Sequence, residues 1–153
     1  NPDMLYFDDT AMPFYGCDDA VGQNILAHYY NHSAGLNGGI PNVVVTGKQL
    51  TTEQKNYMLW DVERGIPDRV QQKYWQTCTC IGDWHYNKST YNNGSYKSAT
   101  QVVNMLVDIV SKNGNLLLNI GPQADGLIPV IMEERLLDMG KWLTVNGEAS
   151  FSM

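Results

Sequence analysis

The sequence lacks long apolar runs and clusters of positive charge. No stretch approaches the ~18 consecutive apolar residues that a membrane-spanning helix needs. Lysine and arginine number 10 against 16 aspartates and glutamates, which gives a formal net charge of -6, and the basic residues are scattered singly. Nucleic-acid binders usually carry a basic patch, so that class is not indicated. The acidic balance indicates solubility more than any particular partner.

Cysteine is also scarce. The three cysteines, Cys17, Cys78 and Cys80, are an odd number, so they imply no complete disulfide framework. Cys78 and Cys80 would share one face of an extended segment, but no second Cys/His pair stands at ligand spacing. We therefore expect no zinc site.

The first residues lack the basic and then apolar segments of a signal peptide. The chain does not begin with Met, and it starts inside a segment whose apolar run predicts a strand. We therefore expect the sequence to be part of a longer protein. On that expectation, the missing signal says little about the cellular compartment.

What is present is a globular composition and an ordered series of short apolar segments. The residues are 43% hydrophobic and 17% charged, and the length suits one domain. Short apolar runs without alternation predict buried strands, and apolar residues at helical spacing predict helices. The resulting order is strand, helix, three strands, helix, strand and helix. It favours an α/β fold with a parallel sheet covered by helices.

The predicted strands are bounded by polar or glycine-containing segments. A glycine-rich loop is predicted over 35–41 and a polar loop over 89–97, while the segment 51–59 is ambiguous. The strands are predicted at 4–8, 43–45, 60–65, 73–84 and 115–121.

Three helices are predicted from their caps and apolar faces. Asp18 or Asp19 is a cap for a helix over 20–30, whose apolar residues include Val21, Ile25, Leu26 and Tyr29. Ser98 and Gln101 fit a capping box for the second helix, and Gly114 is predicted at its C′ position. The third helix begins near Pro129, buries Met132, Leu136, Met139 and Leu143, and stops at Asn146 and Gly147.

Functional residues are expected where the predicted strands end, because ligands bind at the carboxyl ends of parallel strands. These ends carry carboxylates interleaved with aromatic side chains. Paired carboxylates and flat rings are what sugar chemistry uses, although an acidic surface also gathers such residues by chance. The residues concerned are Asp8, Asp9, Lys48, Glu63, Arg64, Asp83, Trp84, His85 and Asn119, with the aromatic Tyr6, Trp60, Trp75 and Tyr86.

Several segments carry a family resemblance. They read "PDMLYFD", "WDVERG", "WQTCTCIGDWHYN" and "MLVDIVSKNGNLLLNIGPQADG", followed by the tail "ERLLDMGKWLTVNGEA". Over nearly the whole chain they resemble the family 29 glycoside hydrolases, the α-L-fucosidases. The resemblance implies a (β/α)8-like TIM-type barrel, of which residues 1–153 form the later strands and helices, with no second domain.

The resemblance also implies a reaction, the retaining hydrolysis of α-L-fucosyl linkages through a covalent glycosyl-aspartate. The nucleophile of the family carries over to Asp8, and Asp9 is then a loop residue that follows the motif. The best match to the acid/base is Glu63. Asp61 is its rival because it would point the same way from a strand, and Arg64 beside Glu63 leaves a simple ion pair as another alternative.

Three further residues carry over as substrate-binding. Tyr6 matches an aromatic two positions before the nucleophile. Trp84 matches an aromatic beside the fucose methyl group, with a core aromatic as the alternative. Lys48 is the basic residue nearest to a sugar-binding arginine of several members, although lysine lacks the bidentate fork of arginine. We interpret His85 and Asn119 as structural.

The resemblance implies no metal or organic cofactor and a fucosylated oligosaccharide or glycoconjugate as the substrate. It implies no nucleic-acid or membrane partner, and it implies a missing N-terminal half of the barrel. A secreted, periplasmic or lysosomal compartment is expected, and the 153-residue chain alone is expected to be inactive. The alternatives are a non-catalytic fucose- or carbohydrate-binding relative and a different barrel glycosidase.

Overall fold

The computed structural model describes residues 2–10, 13 and 19–148. Strands and helices are interspersed along this part of the chain, and its strands pair in parallel. The predicted α/β class is therefore confirmed. The elements are β1 (Met4–Thr10), α1 (Asp19–Leu36), β2 (Val44–Lys48), a 3-10 helix (Gln54–Asn56), β3 (Leu59–Glu63), β4 (Trp75–Cys80), α2 (Lys88–Asn93), α3 (Ala99–Ser111), β5 (Gly114–Asn119) and α4 (Val130–Asn146).

The chain divides into two compact units, Asn1–Val62 and Glu63–Met153. Strand order follows chain order within each unit, as β1-β2-β3 in the first and β4-β5 in the second. Among the described residues, the helices are all too short or too polar to cross a membrane.

Strand β1 is longer than the sequence predicts. Tyr6 lies opposite Thr46 of β2, and the pairing then becomes irregular before Thr10 lies opposite Lys48. Four residue steps on β1 thus match two on β2, as in a β-bulge. The strand continues through Asp9, so the interpretation of Asp9 as a loop residue is wrong: pairing resumes beyond it.

The core of the first unit lies between α1 and its strands. Leu26 and Tyr29 are buried together with Val45 of β2, as their helical spacing predicts. Val21 and Ile25 were predicted on the same face but are exposed. Helix α1 also continues past its predicted end to Leu36 and takes in part of the predicted glycine loop. Its cap candidate Asp18 lies outside the described residues.

The second unit packs two helices beside the β4-β5 pair. Val102 and Val103 of α3 are buried with Met139 of α4, and Leu116 and Leu118 of β5 pack against this cluster. The predicted capping box is confirmed, since the Ser98 side chain accepts from the Gln101 backbone N–H and the Gln101 side chain accepts from the Ser98 backbone N–H. The predicted end of α4 at Asn146 and Gly147 is also confirmed.

Gly114 is not at the C′ position of α3. Asn113 takes the left-handed conformation there, with φ 68, and Gly114 begins β5. The reason for glycine at 114 is packing. A Cβ on Gly114 would lie 2.5 Å from ring carbons of Trp75 and 2.9 Å from Cγ2 of Ile109.

The segment 89–97 is not simply a polar loop, because it contributes most of α2. The Asn87 side chain accepts from the backbone N–H groups of Ser89 and Thr90, and Gly94 ends the helix in the left-handed conformation. The Thr90 hydroxyl donates to Asp83 Oδ2 at 2.6 Å. The pKa of Asp83 is lowered by this hydrogen bond first, and further by the Asn87 side chain and by nearby positive charges. The caps at Asn87 and Gly94 and the bond from Thr90 to Asp83 thus stabilise a helix that has no apolar periodicity.

We predict that Gly114→Ala destabilises the protein, because Trp75 and Ile109 are buried and cannot move aside easily. Overpacking of this kind costs ~1–3 kcal/mol. Thermal or denaturant unfolding of the full-length protein measures it. The control is Gly140→Ala in α4, where no neighbouring atom lies within 4 Å of the added Cβ. The control should be neutral or stabilising by ~0.5–1 kcal/mol. Equal stability of the two variants would contradict the packing role of Gly114.

We predict that Thr90→Val raises the pKa of Asp83 toward its ordinary value. The folded-state pKa lies below the unfolded value of ~3.9, so ionised Asp83 stabilises the fold above that pH. This contribution is lost as the pH falls through the folded-state pKa. The stability difference between Thr90→Val and wild type should therefore shrink on acidification, as followed by unfolding at a series of pH values. Thr144→Val is the control, since the Thr144 hydroxyl donates to the Gly140 carbonyl and to no carboxylate. A pH-independent difference in both variants would refute the link to Asp83.

Candidate active site

The first predicted catalytic residue, Asp8, lies on β1 within the irregular part of its pairing. Its side chain is 78% exposed. Lys48, the last residue of β2, donates from Nζ to Asp8 Oδ1 at 2.7 Å. The Lys48 side chain is only 11% exposed. An accessible carboxylate is thus held through one oxygen by a mostly buried ammonium group.

Asp61 of β3 is a second carboxylate beside Lys48, and it is buried. The Tyr6 hydroxyl donates to Asp61 Oδ2 at 2.7 Å, and Lys48 Nζ lies 3.8 Å from the same oxygen. The Asp61 side chain is fully buried. We name Tyr6, Asp8, Lys48 and Asp61 the lysine-centred cluster. It joins the three strands of the first unit.

Glu63, the predicted acid/base, ends β3 and belongs to the second unit. Its side chain is 48% exposed. The Cys78 thiol donates to Glu63 Oε2 at 3.3 Å, and Arg64 Nε lies 3.7 Å from Oε1. The ion pair with Arg64 is partly exposed on both sides, and such pairs contribute little to stability. Because both side chains remain about half exposed, the ion pair does not bury the Glu63 carboxylate or block access to it.

Arg64 makes a strained turn directly after β3. Its φ angle is 54°, in the left-handed region. This conformation costs a non-glycine residue roughly 1–2 kcal/mol of free energy. Its backbone N–H donates to the Cys78 carbonyl at 2.9 Å, and its guanidinium lies 4.8 Å from the centroid of the Trp84 ring. Strained residues of this kind concentrate at functional sites. The turn places Arg64 against Trp84.

A cavity of about 470 Å³ lies next to Arg64 and Trp84. Residues 83–88 line it as well, from the loop after β4 up to the first residue of α2. The lining combines acidic, basic and aromatic side chains, and the volume is within the range of small-molecule sites. The Asn119 side chain donates to the Trp84 carbonyl at 3.0 Å and ties this loop to β5. That bond agrees with the interpretation of Asn119 as structural.

Two aromatics predicted with the carboxyl ends of strands, Trp60 and Trp75, lie instead at the start of β3 and β4 and serve the packing. Trp75 is buried, and its ring N–H donates to the Lys112 carbonyl at 2.9 Å. Trp60 lies under Lys55, whose Nζ is 3.3 Å from the ring centroid, and burial lowers the pKa of Lys55. Both rings are therefore occupied by contacts within the protein.

The structure places the predicted site residues in two groups. Tyr6, Asp8 and Lys48 share the first unit, whereas Glu63 and Trp84 belong to the second. Over residues 2–10, 13 and 19–148, no group of three or more His, Cys, Asp and Glu side chains is gathered as metal ligands.

Two contacts in these groups have no signal in the residue pattern. One is the thiol of Cys78 against Glu63, and the other is the hydroxyl of Tyr6 against Asp61. The pattern around Cys78 predicts no zinc site, and Tyr6 is predicted to bind the sugar. A signal for either contact would require the strand register, which residue patterns do not supply.

The comparisons with known proteins agree across sequence and structure. The family model described as Alpha-L-fucosidase matches residues 1–148. The tissue alpha-L-fucosidase of Macaca fascicularis is 41% identical over 158 aligned residues, which cover 99% of this chain and 32% of that protein.

Two solved structures from Thermotoga maritima are also similar. The alpha-fucosidase in complex with fucose is 32% identical, with a TM-score of 0.72, and the match covers 98% of this chain and 31% of that one. An alpha-L-fucosynthase in complex with alpha-L-Fuc-(1-2)-beta-L-Fuc-N3 is 32% identical, with a TM-score of 0.75, and the match covers 98% and 30%. The chain spans about a third of the length of these relatives. On the match over 1–148, the chain belongs to the α-L-fucosidase family.

Proposed function

We propose that the protein carrying this chain is an α-L-fucosidase that releases fucose with retention of configuration. The observation that carries the proposal is Asp8, an accessible carboxylate held by Lys48 at the position where the family resemblance puts the nucleophile. Residues 1–153 would form the later part of a (β/α)8 catalytic barrel. The parallel strands and the match to fucosidase structures support this assignment.

In the proposed first step, an oxygen of Asp8 forms a bond to C1 of an α-L-fucosyl unit. The bond from C1 to the leaving oxygen breaks, and Glu63 gives that oxygen a proton. In the second step, water attacks C1 while Glu63 takes a proton from it, and Asp8 is released. Retaining enzymes hold their two carboxyl groups ~5–5.5 Å apart for this purpose.

The burial of the carboxylates supports these roles. Glu63 is half-exposed at the end of β3, so it is accessible to a leaving group. Its rival Asp61 is fully buried and already accepts a hydrogen bond from Tyr6. A buried, engaged carboxylate is poorly placed to protonate a substrate, and this favours Glu63 as the acid/base.

The substrate-binding proposals differ in their support. Trp84 lines the cavity beside Arg64, the residue that follows Glu63, and an aromatic ring there can pack against an apolar sugar face. Tyr6 and Lys48 belong to the same cluster as Asp8, which supports a place beside the reacting sugar. We propose a fucosylated oligosaccharide or glycoconjugate as the substrate.

We predict that Asp8→Ala in the full-length protein lowers kcat on an aryl α-L-fucoside by roughly 10³-fold or more, because no group remains to attack C1. Added azide should restore part of the activity and yield the β-fucosyl azide. The control is Asp138→Ala, an exposed carboxylate paired with Lys141 on α4, which should leave kcat unchanged. Full activity of Asp8→Ala would refute the nucleophile. A wild type that binds fucose without turnover would indicate a binding protein, and turnover of another glycoside alone would indicate a different glycosidase.

We predict that Glu63→Ala affects substrates according to their leaving groups. A sugar leaving group needs a proton and should react roughly 10²–10⁴-fold more slowly, whereas an activated aryl leaving group needs little help in the first step. Steady-state kinetics with matched aryl and disaccharide α-L-fucosides measure the difference. An equal loss for both substrate types would argue against Glu63 as the acid.

A further inference from the structure

We propose that Asp61 is a positioning residue for the nucleophile Asp8. Its buried carboxylate holds the Tyr6 hydroxyl and the Lys48 ammonium, and through them it fixes the direction in which Asp8 points. The proposal rests on the proposed function of Asp8.

The contact between Asp61 and Lys48 is electrostatic. Lys48 lies almost fully buried between two carboxylates, with Nζ 2.7 Å from Asp8 Oδ1 and 3.8 Å from Asp61 Oδ2. Burying an ammonium group is costly unless it is paired and hydrogen-bonded. Because Asp8 is largely in solvent, Asp61 is the buried counter-charge that keeps Lys48 at the end of β2.

The contact between Asp61 and Tyr6 acts on the backbone of β1. Asp61 is on β3, Lys48 is on β2 and Tyr6 is on β1. The bond from the Tyr6 hydroxyl fastens β1 to Asp61 at the last regular pair before the irregular pairing that contains Asp8. Bulges of this kind redirect a side chain next to an active site. Asp61 therefore anchors the strand before Asp8 and, through Lys48, the carboxylate of Asp8 itself.

The alignment of the Asp8 carboxylate matters for catalysis. Asp8 is 78% exposed, so without its bond to Lys48 the side chain would sample several rotamers. Attack on C1 requires the reacting atoms to be aligned at ~3–3.5 Å, and misplacement by ~1 Å can cost 10²-fold in rate. Loss of Asp61 should therefore slow the attack more than it weakens sugar binding.

The test compares Asp61→Asn and Tyr6→Phe in the full-length protein. The asparagine keeps the shape and an acceptor for Tyr6 but removes the charge that holds Lys48. The substrate is α-L-fucosyl fluoride, whose leaving group needs no proton from Glu63, so a fall in kcat does not arise from lost proton donation by Glu63. We expect kcat to fall roughly 10- to 100-fold in Asp61→Asn, with KM changed less than about 3-fold.

Each variant has a matched control. Tyr30→Phe also removes one partly buried hydroxyl, which donates to the Tyr57 carbonyl at 2.6 Å. Asp108→Asn also removes a carboxylate beside a lysine, since Lys112 Nζ lies 3.0 Å from it. Both controls should keep wild-type kcat. Asp61→Asn and Tyr6→Phe combined should lose less than the product of their separate losses, because both act through one contact.

The outcomes separate this proposal from the proposed function. If Asp8→Ala is inactive but Asp61→Asn and Tyr6→Phe keep wild-type kcat, the positioning role is refuted and the nucleophile stands. If Asp8→Ala is active, the proposed function of Asp8 fails first. Should Asp61→Asn fold poorly, Tyr6→Phe decides alone: a fall in kcat at constant KM supports the proposal, and a lower melting temperature with unchanged kcat overturns it.

Discussion

The burial of one lysine between two carboxylates organises the first unit of this chain. Lys48 ends β2 with its side chain mostly buried, between the exposed Asp8 and the buried Asp61. A buried cation requires such partners, so each strand must bring its residue to the same place. The Tyr6 hydroxyl satisfies Asp61 from β1, which makes the three strands interdependent. The same contacts that stabilise the strand ends also orient the carboxylate proposed for chemistry.

Strong local signals made part of the fold predictable. The capping box at Ser98 and the apolar spacing that follows it predicted α3, and the parallel α/β class followed from strands without alternation. Elements that depend on distant or polar contacts were missed. Helix α2 lacks an apolar face and depends on the Asn87 cap, and β1 continues because Thr10 pairs with Lys48. Gly114 suited a helix end equally well in the sequence, and its contacts with Ile109 and with Trp75, far along the chain, explain it.

The candidate site was predictable in residue types but not in contacts. The rule that parallel strands carry function at their ends selected Asp8, Lys48 and Glu63 from the sequence. The partners of these residues could not be derived, because Tyr6 and Asp61 are 55 positions apart and meet only through the register of three strands. Residue patterns specify which side chains face a core, whereas register depends on packing and on irregular pairing such as that after Tyr6. Only the structure shows that Asp61 is buried and Glu63 is half-exposed, which is the difference that favours Glu63 as the acid/base.

The proposed reaction requires a covalent bond between Asp8 and the sugar. The most direct measurement is to trap the full-length protein with 2-deoxy-2-fluoro-α-L-fucosyl fluoride and to locate the adduct by peptide mass spectrometry. The fluorine slows release of the intermediate, so the adduct accumulates. We expect one 2-fluorofucosyl group on the peptide that contains Asp8, and fragmentation should assign it to that residue. An adduct on Asp61, Glu63 or another carboxylate would refute Asp8 as the nucleophile.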